Sequence, residues 1–200
     1  HPWPVFRRLA EANPAPYSGW LHVPDFDFAL ASASPELMLS IDGDELSTRP
    51  IKGTRPRART RDEDEASMRE LAATRKEVSE HMMLVDLERN DIGRVSRVGS
   101  VRWHGWRIES HPTVHHMVSD IRGLLREDLD GWDALQALFP GGSITGCPKT
   151  AVIAAIDELE GTPRGAWTGS LGHHDPRTGS ACWNLLIRTL EAERQSDGSW

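Results

Sequence analysis

The sequence predicts an α+β fold of antiparallel sheets packed with outer helices, and three observations carry that expectation. Strand-like and helix-like stretches come in blocks rather than in strict βαβ alternation, which argues against a parallel sheet. The strand-like stretches of the first fifty residues are short, alternating and separated by Pro or Asp-Gly turns, the pattern of an antiparallel meander. Two later stretches, 62–86 and 148–160, open on helix-start signals.

Taken in order, residues 3–12 read as a short helix stopped by Asn13-Pro14. Strands are expected at 19–23, 28–32, 37–41 and 46–49, punctuated by Pro24, Pro35 and Asp42-Gly43-Asp44. Residues 50–61 are expected to form a basic loop. The stretch 62–86 reads as one long helix: Asp62-Glu63-Asp64-Glu65 place acids where a helix N-terminus favours negative charge. Met68, Leu71, Val78, Met82 and Val85 recur on one side of it. Asn90-Asp91-Ile92-Gly93 is expected to end it. Strands follow at 94–110 and 113–125, then a short helix capped by Asp130. Residues 140–146 form a glycine loop feeding a helix that starts near Pro148, a favoured first helical position, and runs to about Glu160. Strands over 166–173 and 180–191 finish the chain.

Composition narrows the function classes. An apolar fraction of 38% and a charged fraction of 26% suit a globular domain rather than a disordered chain. No apolar run approaches the roughly 20 residues of a membrane span, and a net charge of −7 without a basic domain makes nucleic acid an unexpected partner. Cys147 and Cys182 cannot build a disulfide framework and fit a reducing cytoplasm. His1-Pro-Trp-Pro shows neither a secretory signal nor an initiator Met, so the chain is expected to be processed or cut from something longer. Of the eight Trp, Trp103, Trp106 and Trp183 fall in strand-like runs, where packing accounts for them.

Several residue groups have chemical capacity. Arg49, Lys52, Arg55, Arg57, Arg59 and Arg61 put six cations into thirteen residues, either a solvated loop offsetting the acidic helix start or a site for a small polyanion such as a dicarboxylate. Lys52 lies between Ile51 and Gly53; a partly desolvated lysine sheds its proton more readily and becomes a nucleophile, although most loop lysines do nothing of the kind. Glu77 and Glu80, at i and i+3, share a helix face. They are either an ion-pairing surface or two oxygen ligands for Mg2+. The glycine loop fails as a nucleotide loop, because Cys147-Pro148 intervene before Lys149-Thr150. Gly141, Gly142 and Ser143 can still offer N–H groups to an anion beside a helix start. His115 and His116 should face opposite sides of a strand, one inward and one outward, so a joint metal site is not expected; His173-His174 has the same limitation. Glu36 is a turn carboxylate, or a general acid if burial raises its pKa.

Six segments together resemble the chorismate-binding enzymes. They are Ser34-Pro35-Glu36, the run from Pro50-Ile51-Lys52-Gly53 to Arg57, the run from Glu80-His81-Met82 to Asn90-Asp91, Val114-His115-His116-Met117-Val118-Ser119, the run from Phe139-Pro140-Gly141-Gly142-Ser143 to Cys147-Pro148-Lys149, and Ile187-Arg188-Thr189. That family includes anthranilate synthase component I, aminodeoxychorismate synthase component I, isochorismate synthases and salicylate synthases. Lys52 resembles the aminodeoxychorismate synthase branch, whose members carry Lys within P-I-K-G-T where anthranilate synthases generally carry Ala. The resemblance implies attack by Lys52 on C2 of chorismate, loss of the C4 hydroxyl, and addition at C4 of ammonia from a glutamine amidotransferase partner. It implies Glu36 as general acid/base, His116 as an active-site histidine, and Glu77 and Glu80 as Mg2+ ligands. It further implies substrate contacts at Thr54, Gly142, Ser143, Trp167 and Arg188, with Trp167 standing where anthranilate synthases carry Tyr. Departures fall at Gly172-His173-His174 and Cys182-Trp183-Asn184. The family continues past the position of Trp200 with a second E-x-x-E pair and begins with a large N-terminal portion. Residues 1–200 are therefore expected to be one catalytic domain, incomplete at both ends, with low activity alone. Anthranilate synthesis, or a truncated non-catalytic binding domain, are the alternatives.

Overall fold

The computed structural model describes residues 2–200; His1 lies outside them. Helix α1 (Trp3–Ala12) leads into β1 (Tyr17–Val23), β2 (Phe28–Ser34), β3 (Leu37–Asp42), β4 (Glu45–Arg49) and β5 (Ile51–Pro56). Then come α2 (Arg61–Ala73), α3 (Arg75–Val95), β6 (Arg102–Ser110), β7 (Val114–Leu124), α4 (Gly131–Leu138) and α5 (Lys149–Glu160). Strands β8 (Gly172–His174), β9 (Ala181–Asn184) and β10 (Thr189–Glu193) follow. Every strand pairing is antiparallel, which bears out the α+β class. A small sheet runs β1-β2-β10, and a larger one runs β5-β7-β4-β3-β9-β8 with β6 beside β7.

Strand β7 is the spine of the larger sheet. One edge carries β6; the other carries β4 against residues 121–124 and then β5 against residues 114–118. The expected basic loop is thus a strand. Pro50, which has no N–H to give a ladder, marks the break between β4 and β5, and its carbonyl accepts from Ser119 N at 3.2 Å. The charges concealed the strand because its partner lies some sixty residues later, a pairing that local sequence does not show.

The expected long helix is two helices meeting at Thr74, whose φ and ψ of −74° and 103° leave the helical region. Its hydroxyl donates to the Glu70 carbonyl at 2.7 Å, the local side-chain bond by which threonine competes with a helical backbone. At the other end α3 runs on through Asn90-Asp91 to Val95. Ile92 and Val95 are buried there and Asp91 is satisfied by Lys149 at 2.6 Å, so the polar residues do not stop the helix. The expected strand at 94–110 accordingly begins only at Arg102. The expected 166–173 strand shrinks to β8. The expected 180–191 strand divides into β9 and β10, which belong to different sheets and are separated by Arg188 at φ 51°. Helix α4 has the Asp130 cap foreseen for it, with Asp130 accepting from Trp132 N and Asp133 N.

The core lies where α3 and α4 cover the large sheet: Leu39, Leu46 and Ile121 from the sheet, and Leu185 just after β9, meet Val85, Ile92 and Leu138. Each such side chain contributes about 2 kcal/mol by leaving water. His115 and His116 do point to opposite faces, but both are buried, against the expectation that one would face outward. His115 shares the helix-covered face with Ser119 and Ile121 and meets Asp64 of α2 at 2.9 Å, while His116 is buried on the opposite face, towards the seam. His173 is exposed and His174 half-buried.

Candidate functional site

The chain crosses between the two sheets twice, through Pro35-Glu36 from β2 to β3 and through residues 185–188 from β9 to β10. The crossings are stitched together: Leu185 N donates to the Glu36 carbonyl at 3.2 Å, and Ala33 N donates to the Arg188 carbonyl at 3.1 Å. Glu36 and Arg188 therefore meet at one seam. Arg188 sits in the left-handed region, a strained conformation for a non-glycine residue that accumulates at functional sites.

Glu36 is 4% exposed, and burial raises its pKa to about 7 against the opposing pull of the Ser143 hydroxyl, the Ile51 backbone and Arg188. The Ser143 hydroxyl is near enough to act on Glu36 without closing a hydrogen bond of normal geometry. Glu36 Oε1, Ser143 Oγ and His116 Nε2 are all buried without a hydrogen-bond partner among the described residues. Buried polar groups are normally paired, so three unpaired ones near one seam mark a place where a polar ligand is expected. His116 shares a 2.9 Å hydrogen bond with Thr54 through Nδ1, and its pKa is pushed down to about 4 by burial, Arg188 and the His111 ring 5.3 Å away. It is a neutral imidazole at ordinary pH.

Lys52 reaches the site by a backbone device. Between the pairs Ile51↔Val118 and Thr54↔His116, β5 has one residue more than β7, a β-bulge that re-aims the side chain it carries. Gly53 supplies the bulge with φ 99°, and a Cβ there would press on Leu71 at 3.1 Å. The Lys52 ammonium pairs with Glu80 at 3.1 Å, and that pairing holds the Glu80 carboxyl below its usual range. The side chain is 47% exposed, so the partial desolvation expected of Lys52 is not present.

Lys52 and Glu80 open onto a cavity of about 360 Å3, a size that suits a small ligand. Met83, Leu84 and Leu87 of α3 form its apolar wall, and Gly142, Ser143 and Gly146 of the glycine loop form the opposite one. The loop lies so close that a Cβ on Gly142 would meet Leu87 at 2.9 Å, and one on Gly141 would meet Leu185 at 2.6 Å. Lys149, the lysine that resembled a phosphate-loop residue, turns inward to Asp91 and the Leu138 carbonyl. Nothing here favours a nucleotide.

The remaining cations are mostly accounted for. Arg49 pairs with Glu109 and Asp120, Arg55 with Glu70 and Glu77, Arg57 with Asp64, and Arg61 with Glu65. Lys52 is paired as well, with Glu80, so among the described residues only Arg59 of the six has no ion pair and the segment as a whole is not an open polyanion site. Glu77 and Glu80 each face their own cation, Arg55 and Lys52. Among the described residues no group of three His, Cys, Asp or Glu is disposed to hold a metal. Two carboxylates already neutralised by cations do not by themselves fit a divalent ion, which takes six or more oxygens. Trp167 stands outside the cavity wall, 54% exposed, with Arg164 over its ring at 4.8 Å. Thus Lys52, Glu80, Gly142 and Ser143 share the cavity; Glu36, Arg188, His116 and Thr54 share the seam next to it; Glu77 and Trp167 lie to the side.

Three buried groups were missed. His81 bonds Ser119 at 2.7 Å and is pushed to a pKa of about 4 by burial. Glu88 accepts from Thr48 at 2.7 Å, and Asp91 is held by Lys149. The signal was present in the helix phase: Glu88 and Asp91 follow Leu84 and Val85 at i+3 to i+7 and therefore share their buried face.

An antiparallel two-sheet body with an acid, a histidine and an arginine at its seam, and a lysine facing a glycine loop, defines the class: the chain belongs to the chorismate binding enzyme family, whose pattern matches residues 1–199. Within it, the chain is 48% identical over 197 residues to aminodeoxychorismate synthase component 1 of Bacillus subtilis, covering 96% of this chain and 40% of that protein. It is 49% identical over 191 residues to an anthranilate synthase component 1 of Haloarcula marismortui, covering 95% of this chain and 38% of that one. The crystal structure of anthranilate synthase component I from Streptococcus pneumoniae superimposes with a TM-score of 0.85 at 35% identity, covering 96% of this chain and 42% of that chain. The chain spans about two fifths of the length of these relatives.

Proposed function

We propose that this chain is the catalytic part of an enzyme that aminates chorismate to 4-amino-4-deoxychorismate, in the cytoplasmic synthesis of 4-aminobenzoate and folate. The observation that carries the reading is Lys52 leaving a β-bulge into the cavity it shares with Ser143, beside the seam that buries Glu36. The Lys52 amine separates from Glu80, loses its proton and attacks C2 of the ring. Glu36, protonated below about pH 7, gives its proton to the C4 hydroxyl, which leaves as water. Ammonia from a glutamine amidotransferase partner then adds at C4, the lysine departs with its electron pair restored, and the new ammonium loses one proton. Dividing the substitution in two avoids one difficult displacement. Arg188, a planar fork suited to carboxylates, His116 and the glycine-loop N–H groups bind and orient the substrate's polar groups. A Mg2+ ion beside Glu80 would need further oxygens from the substrate and elsewhere.

The Haloarcula relative, as similar as the Bacillus one, supports a second reading in which the product is anthranilate. Incubating the protein with chorismate, ammonium and Mg2+ and identifying the product separates the two. The amination reading expects 4-amino-4-deoxychorismate and its loss in Lys52→Ala, by about a hundredfold or more. Anthranilate as the main product, or full output from Lys52→Ala, would sink it. Among the described residues no helix is long and apolar enough to cross a membrane.

A further inference from the structure

We infer that His81 is the positioning residue of the Lys52 nucleophile, holding the Lys52 backbone from beneath the bulge while its neighbour Glu80 holds the ammonium; this rests on the amination reading of the site. His81 is fully buried on α3, against the larger sheet. Its Nε2 lies 2.7 Å from the Ser119 hydroxyl, whose oxygen also accepts from Trp103 Nε1 at 3.1 Å. Ser119 is itself buried, and its N–H donates to the carbonyl of Pro50, two residues before Lys52. This clamp grips the chain just where the bulge begins, between Ile51 opposite Val118 and Thr54 opposite His116. Lys52 and Gly53 have only Met117 opposite them, so the ladder does not fix both, and Gly53 at φ 99° adds its own freedom. The nucleophile therefore stands on the least constrained part of β5.

The hydrogen bonds also place the proton on the ring. The Trp103 indole is a donor only, so the Ser119 oxygen offers it a lone pair. The Ser119 proton has one acceptor among the described residues, His81 Nε2. Nε2 is then bare, and the single proton of the neutral ring sits on Nδ1. Nδ1 is buried and closes no hydrogen bond. The Lys52 backbone is near enough to act on the ring, and its carbonyl is the acceptor that an Nδ1–H requires. A buried donor facing a residue that the ladder does not fix is an interaction left open in the free protein, as hydrogen bonds of a working site often are before substrate binds. It closes as the Lys52 amine leaves Glu80 for the ring, so that the amine swings from an anchored backbone. Adjacent residues of one helix thereby hold the resting side chain and the working backbone of the same lysine.

Two variants divide the functions of the ring. Glutamine carries an amide oxygen to the position of Nε2 and can accept from Ser119, but leaves nothing at the position of Nδ1. Asparagine puts an amide N–H at the position of Nδ1 and gives up Ser119. Each is assayed for amination of chorismate with ammonium and Mg2+, beside its unfolding midpoint, with Lys52→Ala as the control. The inference expects His81→Gln to lose kcat by about tenfold or more, the effect of a slightly misplaced nucleophile, with KM for chorismate within about threefold of the parent. His81→Asn should keep kcat within about threefold, although it loses the Ser119 bond and leaves the larger cavity. Parent-level kcat in His81→Gln, or equal losses in the two variants that follow their midpoints, assigns His81 to packing and overturns the inference. Nitrogen NMR of the parent at neutral pH decides the matter if neither variant folds: a bare Nε2 and a protonated Nδ1 are expected at His81, and the opposite tautomer overturns the inference. Parent-level amination by Lys52→Ala removes the reading of the site, and the positioning of its nucleophile with it.

Discussion

Replacing Glu36 by Gln should make the protein more stable in alkali and leave it unchanged in acid. The carboxyl ordinarily titrates near 4.5 and is raised to about 7 here, mainly by burial. At 1.36 kcal/mol per tenfold change in proton affinity, ionised Glu36 costs the fold on the order of 3 kcal/mol. Between those two values the folded protein binds the proton that the unfolded chain has released. The contribution of neutral Glu36 is therefore complete below about pH 4.5 and is lost as pH rises through 7. Glutamine keeps the shape without the charge and escapes the loss. Urea midpoints of parent and variant, taken at about pH 5 and about pH 8.5, test this because the slope terms cancel within each pair. An advantage to the variant of about 1 kcal/mol or less at the lower pH, growing by roughly 2–3 kcal/mol at the higher, is expected. An equal difference at both values would mean that burial does not govern Glu36, and the general-acid reading would lose its physical basis.

Other expectations follow from the same geometry. His116→Gln should blunt acid sensitivity: the folded histidine titrates near 4 and the unfolded one near 6.5, so stability is present above 6.5 and lost as pH falls towards 4, by about 2–3 kcal/mol in the parent. Thermal unfolding across that window reads it, and the buried His81, with the same displacement, should retain its own share. Asp91→Asn leaves the Lys149 ammonium, 14% exposed, without its counter-charge. A loss of about 3 kcal/mol is expected in denaturant unfolding, and loss of less than about 0.5 kcal/mol would show that the pair contributes nothing to holding the glycine loop. Lys52→Ala, by contrast, breaks a half-exposed pair and should shift stability by no more than about 1 kcal/mol while abolishing amination.

How far the sequence discloses this protein depends on whether a residue's environment is made locally or by distant chain. The hairpins β1-β2 and β3-β4 and the Asp130 cap are local and legible, but the single meander expected of them is not formed, because β2 and β3 fall in different sheets. Strand β5 is not, because its partner β7 arrives late and its charged residues pair with acids on α2 and α3. The Thr74 break lacks Gly or Pro, the usual punctuators, and depends on a single hydroxyl choosing the Glu70 carbonyl. In the site, residue types at family positions located Lys52, Glu36, His116, Ser143 and Arg188. They did not disclose that Lys52 is ion-paired rather than desolvated, or that Glu77 answers to Arg55, since both facts depend on side chains from separate elements.

The unpaired atoms at the seam bear on why the site is built this way. A buried polar group without a partner costs about 1–3 kcal/mol, and Glu36 Oε1, Ser143 Oγ and His116 Nε2 each carry that cost on a different element. Elsewhere the fold spares no effort to satisfy buried polar groups: His115 has both Ser110 and Asp64, and Asp91 has Lys149. Of the four such unpaired atoms among the described residues, only His81 Nδ1 lies apart from the seam, so the exceptions concentrate where, on the proposed reading, a substrate bearing carboxylates and a hydroxyl can supply what the protein withholds. Such a ligand gains from groups that have already been stripped of water and held in place, so part of the cost of organising the site has been met in folding. It follows that Glu36 is tolerated in its position as the neutral acid, which burial favours up to about pH 7.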